Sequence, residues 1–324
     1  MVRTTGRLAA AGVLLLSAQM LFPTHARADD TFKVAVGQRG NWDSSVSEIG
    51  QRAGIFKKHG ITLDILYTQG SGETQQAVIS GSVDIGVAIG SLGAVGAFSK
   101  GAPVRIIGAE NTGAADLFWY VRADSTIKNL ADTEGKTVSY STAGSSTQGI
   151  VNAFISEKGM KAKPTATGSP SASLTQVMSG QVDIGWAAPP FGIDLIDQKK
   201  IRVLANGNDT SFKEQTVRVI ATNVNTLTTR KDAVARYMDA YRETVNYMYT
   251  DPASLKVYAD WLNITPELAK RSRDDFFPRD AVEPDKIIGL DKIMKDAVTY
   301  KYAAAPLTKE QLAELIQIPA PARK

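Results

Sequence analysis

The sequence predicts an α/β protein built from two similar lobes. Segments that alternate apolar and polar residues, as β-strands do, are followed by stretches with the apolar spacing of amphipathic helices. One segment occurs twice, as VISGSVDIGVA at residues 78–88 and as VMSGQVDIGWA at residues 177–187. The two copies lie too far apart along the chain to be consecutive units of a solenoid, and this spacing fits two related lobes. No low-complexity linker divides the chain, so we expect the chain to interweave the lobes.

The first lobe begins with two predicted strands around a helical stretch. The strands are residues 32–37 (FKVAVG) and 61–67 (ITLDILY). The helical stretch is predicted to end at Lys57-Lys58-His59-Gly60, because basic residues followed by Gly are typical of a helix C-terminus. In each copy of the repeat, a helix then ends at Ser-Gly and a short Val-Asp-Ile-Gly strand follows. A Gly-Ser pair precedes each of these helices, at Gly70-Ser71 and Gly168-Ser169.

Two further strands mark where we expect the chain to pass between lobes. Residues 117–122 (LFWYVR) and 217–222 (VRVIAT) are rich in β-branched and aromatic residues, and we interpret them as the crossovers. By this boundary argument lobe 1 comprises residues 29–117 plus 219–324, and lobe 2 comprises residues 118–218. The last third of the chain keeps helical spacing and is predicted to pack against a lobe.

The N-terminus has the pattern of a cleavable secretory signal peptide. Arg3 and Arg7 precede an apolar run from Leu8 to Phe22, and Ala26-Arg27-Ala28 forms a small-x-small cleavage site. The run is too short for a comfortable membrane span. No Cys is present to carry a lipid anchor. We therefore predict cleavage after Ala28 and a soluble product in a bacterial periplasm.

Composition excludes several classes of function. The 324 residues include 37 Lys plus Arg, 33 Asp plus Glu, two His and no Cys, which excludes disulfides, thiolate metal sites and Cys nucleophiles. Removal of the signal peptide takes away three arginines and leaves the charges almost balanced. This balance gives no case for binding nucleic acid or an anionic membrane surface.

Enzyme signatures are poorly represented. Gly135-Lys136-Thr137 ends like a phosphate-binding loop, but Leu130 stands where that loop needs Gly. Ser125-Thr-Ile-Lys128 matches an S-x-x-K motif without its companions, so we interpret it as chance. His59, at a helix end, is interpreted as structural. Asp274-Asp275 is typical of a solvated helix face. We predict no catalytic residues, no cofactor and no metal site.

Binding residues are better represented, in loops rich in Gly, Ser and Thr that follow predicted strands. Ligands of open α/β sheets lie at the carboxyl ends of the strands, where backbone N–H groups of helix N-termini favour anions. The run Ser141-Thr-Ala-Gly-Ser-Ser-Thr147 is the best candidate, and it includes Thr142, Ser145, Ser146 and Thr147. Helix capping would explain one of these hydroxyls. Gly70-Ser71-Gly72 is a candidate for the same reason, and the alternative is that these residues only form the turn.

Aromatic and charged candidates flank these loops. Trp42, in a polar loop, could stack on an organic ligand or serve loop packing. Phe191 could form an opposing wall, whereas Trp186, within the second repeat, is interpreted as core. Arg39 could bind a carboxylate or sulfonate, although an exposed arginine needs no such role.

Taken together, these features resemble a known family. The chain resembles periplasmic substrate-binding proteins of ABC importers, in the nitrate/sulfonate/taurine group that shares a superfamily with thiamine-precursor synthases. The resemblance covers the whole predicted mature chain. It is carried by residues 54–60 (GIFKKHG), 70–72 (GSG) with 83–86 (VDIG), 130–138 (LADTEGKTV) and 180–186 (GQVDIGW).

The resemblance implies a two-lobed periplasmic-binding-protein type II fold, with two crossover segments and a ligand cleft between the lobes. By position, the residues that would face this cleft are Asn41, Trp42, Ser71, Gly90, Ser91, Thr142, Ser145, Ser146 and Pro189. The synthases carry a Cys-rich motif that this chain lacks.

The function implied is capture of a small ligand by hinge closure and its delivery to a membrane permease by a monomeric protein. We expect a small organic anion, a sulfonate or a carboxylate, with or without an aromatic part. Two alternatives stay open at this point. One is an exported carboxylate-dependent enzyme on the same fold, and the other is a binding protein that serves a chemoreceptor.

Overall fold

The computed structural model describes residues 1–2 and 29–322, so residues 3–28 of the predicted signal peptide lie outside the described residues. The strands are β1 (Asp30–Val36), β2 (Ile61–Tyr67), β3 (Ile85–Gly90), β4 (Val104–Thr112), β5 (Phe118–Arg122), β6 (Thr137–Tyr140), β7 (Lys163–Ala166), β8 (Gly185–Ala187), β9 (Ile201–Asn206) and β10 (Thr216–Asn223). The helices are α1 (Val46–Arg52), α2 (Ile55–Lys58), α3 (Ser71–Ile79), α4 (Ser91–Ser99), α5 (Ser146–Lys158), α6 (Pro170–Met178), α7 (Ile193–Asp197), α8 (Val224–Thr229), α9 (Lys231–Thr250), α10 (Ala253–Leu262), α11 (Pro266–Phe276), α12 (Leu290–Thr299) and α13 (Lys309–Leu315).

The first sheet has the strand order β2-β1-β3-β10-β4. Strand β1 runs parallel to β2 and β3, whereas β10 runs antiparallel to β3 and β4. Residues along β1 alternate between two cores: Phe32 and Val34 pack with α1 and α9, and Ala35 packs on the opposite face with α3 and α4. Helices thus cover both faces, which explains why the central strand β3 is apolar and buried throughout.

The second sheet is made of two pieces that a single bridge joins. Strand β5 pairs antiparallel with β8 and β9, and β6 pairs parallel with β7. A parallel bridge between Val138 and Ile184 connects them, which gives the order β7-β6-β8-β5-β9. This order repeats that of the first sheet, with β6, β7 and β8 in the places of β1, β2 and β3. We call the elements around the first sheet lobe 1 and those around the second lobe 2.

The two copies of the sequence repeat occupy equivalent places, at the ends of α3 and α6. The predicted Val-Asp-Ile-Gly strands begin later than expected, at Ile85 and at Gly185. The physical reason is that each repeat Asp lies in the turn and accepts a backbone N–H from the neighbouring strand. Asp84 accepts from Lys33 at 2.8 Å, and Asp183 accepts from Thr137 at 2.9 Å.

Two further details differ from the sequence analysis. The helical stretch before Lys57 is two helices, because Gly54 between them has a φ of +76°. The chain passes between the sheets in the loops 113–117 and 207–215, while the flanking strands β5 and β10 belong to the sheets themselves. The lobe boundaries stay a prediction. Within residues 1–2 and 29–322, no helix has the length and apolar character that crossing a bilayer requires.

Candidate functional site

A small cavity lies where the loops that follow the strands of both lobes meet. Its volume is about 20 Å³. Lobe 1 and the first crossover contribute Gly37, Gln38, Asn41, Ser71, Ala88, Leu117 and Arg218, and lobe 2 contributes Ser141, Ser146, Thr147 and Trp186. We call it the inner cavity. It adjoins the first turns of α3 and α5, so two helix N-termini meet there.

A much larger groove of about 790 Å³ opens outward from this point. We call it the outer groove; it shares Gln38 and Asn41 with the inner cavity. Its walls are mainly apolar and come from both lobes. They include Leu262, Ile264 and Leu268 of lobe 1 and Pro170, Leu174, Pro190, Phe191 and Leu195 of lobe 2.

Beside the inner cavity the two lobes touch through glycines. The backbone N–H of Gly72 donates to Thr142 Oγ1 at 3.0 Å. A Cβ atom at Gly72 would collide with the Ala143 carbonyl oxygen, and one at Gly90 would lie 2.6 Å from the Gly144 carbonyl oxygen. Because Gly72 and Gly90 of lobe 1 have no side chain, the hydroxyl-rich loop of lobe 2 can pack directly on helix N-termini.

Most hydroxyls of that loop already have partners inside the protein. Ser145 caps α5 by accepting the N–H of Gln148, and Thr147 Oγ1 accepts the N–H of Ser141 at 2.9 Å. Ser91, predicted to face the cleft, lines neither the inner cavity nor the outer groove; its hydroxyl is directed within lobe 1 and donates to the Thr216 carbonyl at 2.7 Å. The capping alternative thus describes Ser145, whereas Ser146 and Thr147 line the inner cavity.

Ser71 differs from these residues. Its side chain is 6% exposed and lines the inner cavity. Its hydroxyl has no hydrogen-bond partner among the residues that the structure describes. Ser71 is the first residue of α3, as Ser91 is of α4, so two hydroxyls in similar positions differ only in whether they are already bonded.

The remaining predicted site residues divide between the cleft and the core. Arg39 lines the outer groove, lies over the Trp261 ring at 4.8 Å and donates to the Trp261 carbonyl at 3.0 Å. Phe191 forms part of the opposing wall. Pro189 lines neither space; its neighbour Pro190, joined to it by a cis peptide bond, lines the groove.

Trp42 does not reach the cleft. It is 0% exposed and packs edge-to-face against Tyr258 at 4.9 Å and Tyr249 at 6.0 Å. Packing in the core is therefore its role in this structure. Trp186 is the tryptophan that lines the inner cavity, although it is also 2% exposed as expected for a core residue. The strand pattern that places it in β8 does not distinguish a core wall from a cavity wall.

A buried charge cluster behind the inner cavity was not predicted. Arg218 Nε lies 2.7 Å from Asp43 Oδ2, and its Nη2 lies 2.8 Å from Asp116 Oδ2. Glu110 accepts the N–H of Ala88, a cavity residue with a φ of +64°. These groups come from distant parts of the sequence. The sequence offered one signal for this cluster, which was the charged Arg218 within the otherwise apolar segment VRVIAT.

Burial sets the protonation of this cluster. It raises the pKa of Asp116 to about 6, with Arg218 opposing the rise and Asp43 adding to it. Burial, and then the charge of Asp43, holds the pKa of Glu110 well above its ordinary value. For Arg218, burial alone would lower the pKa, but the Asp116 and Asp43 carboxylates keep it above its usual range. The guanidinium therefore stays charged beside the cavity.

Metal ligands do not gather in the described part of the chain. Within it, no three His, Cys, Asp or Glu side chains are placed so that they could hold one ion.

The fold matches solved structures along most of its length. The alkanesulfonate-binding protein SsuA from Xanthomonas axonopodis bound to MOPS has a TM-score of 0.73 at 17% identity, over 89% of this chain and 98% of that one. The sulphonate-binding SsuA from Escherichia coli gives 0.68 at 17%, over 91% and 94%. The nitrate-binding protein NrtA from Synechocystis gives 0.68 at 13%, over 88% and 84%. The chain thus has the fold of periplasmic binding proteins.

Sequence comparison is informative at the level of the family. No curated protein sequence matches the chain. A sequence model described as NMT1/THI5 like matches residues 48–254, which is more than half of the chain and includes both copies of the repeat. With the two-lobed fold and the shared cleft in place, this match shows that the chain belongs to the NMT1/THI5-like family.

Proposed function

We propose that this protein is the solute-binding component of an ABC importer, which captures a small organic anion between its lobes and delivers it to a membrane permease. One observation carries the proposal: loops from both lobes line one continuous cleft at the carboxyl ends of the strands. A ligand that touches both lobes binds the closed form better than the open one and shifts the population toward it. The crossovers at 113–117 and 207–215 are the proposed hinge.

The charge pattern supports an anion, with a sulfonate or a carboxylate as the first classes to test. Two helix N-termini adjoin the inner cavity, and it is also lined by Arg218, a pure hydrogen-bond donor whose charge is offset by Asp43 and Asp116. The similar structures include proteins named for alkanesulfonate and nitrate binding. An apolar or aromatic body would lie in the outer groove.

The enzyme alternative is less well supported. A carboxylate-dependent reaction needs an acid that reaches the substrate. Asp43, Glu110 and Asp116 are buried behind Arg218 or Ala88 and line neither space. Among the described lining residues Asp194 is the single carboxylate, in the outer groove, whereas a carboxylate pair needs two. We therefore propose a non-catalytic role, without a cofactor. The predicted signal peptide and the similar periplasmic proteins support a periplasmic location.

A thermal-shift screen of the purified protein tests this function. The panel holds aliphatic and aromatic sulfonates, aliphatic and aromatic carboxylates, nitrate and pyrimidines. A ligand at 100 times its Kd stabilises the native state by about 2.7 kcal/mol, which raises the Tm measurably. We expect at least one organic anion to raise it without being consumed. Absence of any shift across the panel, or turnover of the compound that binds, would contradict the proposal.

A further inference from the structure

Two residues that line the inner cavity, one from each lobe, carry a buried polar atom without a hydrogen-bond partner among the described residues. Ser71 Oγ belongs to lobe 1 and Trp186 Nε1 to lobe 2. Both side chains are more than nine-tenths buried, and both line the cavity that Arg218 also lines. Buried polar atoms in folded proteins nearly always have a hydrogen-bond partner, so two open groups in one cavity need an explanation.

The chemistry of these groups fixes the kind of atom that would satisfy them. An indole N–H can only donate, and a guanidinium can only donate. A serine hydroxyl can donate as well as accept. The three groups together therefore suit a hydrogen-bond acceptor, whereas a ligand ammonium would leave the indole unpaired and would lie close to the guanidinium charge.

The dimensions restrict the acceptor to the end of a ligand. A cavity needs roughly 10–15 Å³ to hold one water-sized group, and the inner cavity has about 20 Å³. The remainder of an organic ligand must lie elsewhere. The outer groove begins at Gln38 and Asn41, which also line the inner cavity.

We propose that Ser71 Oγ and Trp186 Nε1, with the Arg218 guanidinium, form a head-group site that binds one oxygen of a carboxylate or sulfonate. This inference rests on the proposed function and deepens it, because it gives the ligand a direction in the cleft. The oxyanion points inward, to the site that both lobes complete, and the apolar body lies in the outer groove.

Matched probes and variants test the head-group site. Benzenesulfonate, benzoate, benzamide and benzylamine share a ring and differ in the head group. We expect the wild-type protein to bind the two anions most tightly in isothermal titration calorimetry. The substitutions Trp186→Phe and Ser71→Ala should each weaken the anions about tenfold, since a hydrogen bond to a charged group is lost.

Two control variants separate this effect from general damage. Trp42→Phe removes an indole N–H that is equally buried but lies in the aromatic core beside Tyr249 and Tyr258, away from both spaces. Ser91→Ala removes a buried hydroxyl at the equivalent helix position whose hydrogen bond lies within lobe 1. Both should keep the wild-type affinity. Anion binding should change tryptophan fluorescence in Trp42→Phe and much less in Trp186→Phe.

The outcomes distinguish the head-group site from the proposed function. Wild-type affinity in both Trp186→Phe and Ser71→Ala would overturn the site and leave solute binding intact. Preference for benzylamine over the anions would do the same. If none of the four probes binds and the wider panel raises no Tm, both the proposed function and the head-group site are overturned. If another anion from that panel binds, it replaces the probes in the same comparison of variants.

Discussion

The inner cavity and the outer groove are parts of one cleft, but they are built in opposite ways. Glycines, hydroxyls and a buried arginine line or adjoin the inner cavity, and apart from the Ser71 hydroxyl they are held by specific hydrogen bonds or backbone contacts. The outer groove is wide and has mainly apolar walls from both lobes. Specific contacts therefore fix the positions of groups around the inner cavity, whereas the wider groove can accept ligand groups of different sizes.

This difference indicates how the cleft divides recognition between its parts. Directional hydrogen bonds and fixed charges discriminate strongly between head groups, because an unmatched buried polar group is costly. Apolar surface discriminates weakly between bodies of similar size. The following experiments test whether the inner cavity and the outer groove differ in this way.

The largest effect is expected from the charge behind the inner cavity. Arg218→Met leaves Asp43 and Asp116 without their cation in a buried site. Removing one partner of a buried ion pair costs about 3–5 kcal/mol, so the free energy of unfolding should fall by that amount in urea titrations. Arg39→Met, in the exposed loop of the outer groove, is the control and should cost less than about 1 kcal/mol. Equal losses of stability in the two variants would show that the inner cavity is not more strongly constrained by charge than the outer groove.

Closure should depend on the glycine contact. Gly72→Val places a side chain against the Ala143 carbonyl and should hold the lobes apart. Overpacking of this kind costs about 1–3 kcal/mol, which weakens affinity for the bound anion up to about a hundredfold. The radius of gyration from small-angle X-ray scattering should also rise. Gln76→Val, exposed on the same helix, is the control, and an unchanged Gly72→Val protein would contradict the closure contact.

The outer groove should distinguish ligands by their bodies. Phe191→Ala removes part of an apolar wall, which should weaken benzenesulfonate about tenfold through lost apolar burial. Methanesulfonate has no ring to reach that wall, so its affinity should hardly change. Calorimetry on both compounds checks this. An equal loss for the two would mean that Phe191 acts on the head-group site.

Stability should vary with pH through Asp116. Its pKa is raised to about 6 in the folded protein, so between about pH 4 and 6 the folded state binds more protons than the unfolded state. Stability from this group is therefore highest at low pH and falls as pH rises through 6. Thermal melts should show a smaller decline over this range in Asp116→Asn. A decline equal to that of the wild type would assign it to other groups.

The smallest effect is expected at the rim of the groove. Arg271, on α11 of lobe 1, lies 2.6 Å from Asp197 at the end of α7 in lobe 2. Both side chains are about half exposed, so the pair is worth less than about 1 kcal/mol. Arg271→Gln should weaken anion binding by about threefold at low salt and not at high salt. Lys270→Gln, whose ion pair lies within α11, should have no effect.

The sequence predicted the framework well because periodicity and repeats are local signals. Strand β2 has the predicted bounds, and the repeat indicated the second lobe. The helix cap at Ser145 and the cleft position of Ser71 were also within reach, since both follow from a loop between a strand and a helix.

The part of the site that could not be predicted depends on distant contacts. Asp43, Asp116 and Arg218 come together only through the fold, so no spacing reveals them. Trp42 and Trp186 show the same limit. Trp42 was a candidate ligand contact with loop packing as its alternative, and it lies in the core. Trp186 was expected in the core, and it also lines the cavity. Burial of a tryptophan depends on which helices pack over its strand or loop, and neighbouring residues do not encode this.

The order of strands in the first sheet has a consequence for how the protein folds while it is being synthesised. Strand β10 lies between β3 and β4, but the whole of lobe 2 is translated before it. Until β10 emerges, β4 has no neighbouring strand with which to pair, so lobe 1 stays incomplete. Lobe 2 is one continuous segment and can fold as soon as it is synthesised. Lobe 1, whose synthesis begins first, is therefore expected to complete its folding last. The long-range pairing of β10 with β3 and β4 is expected to limit the folding rate.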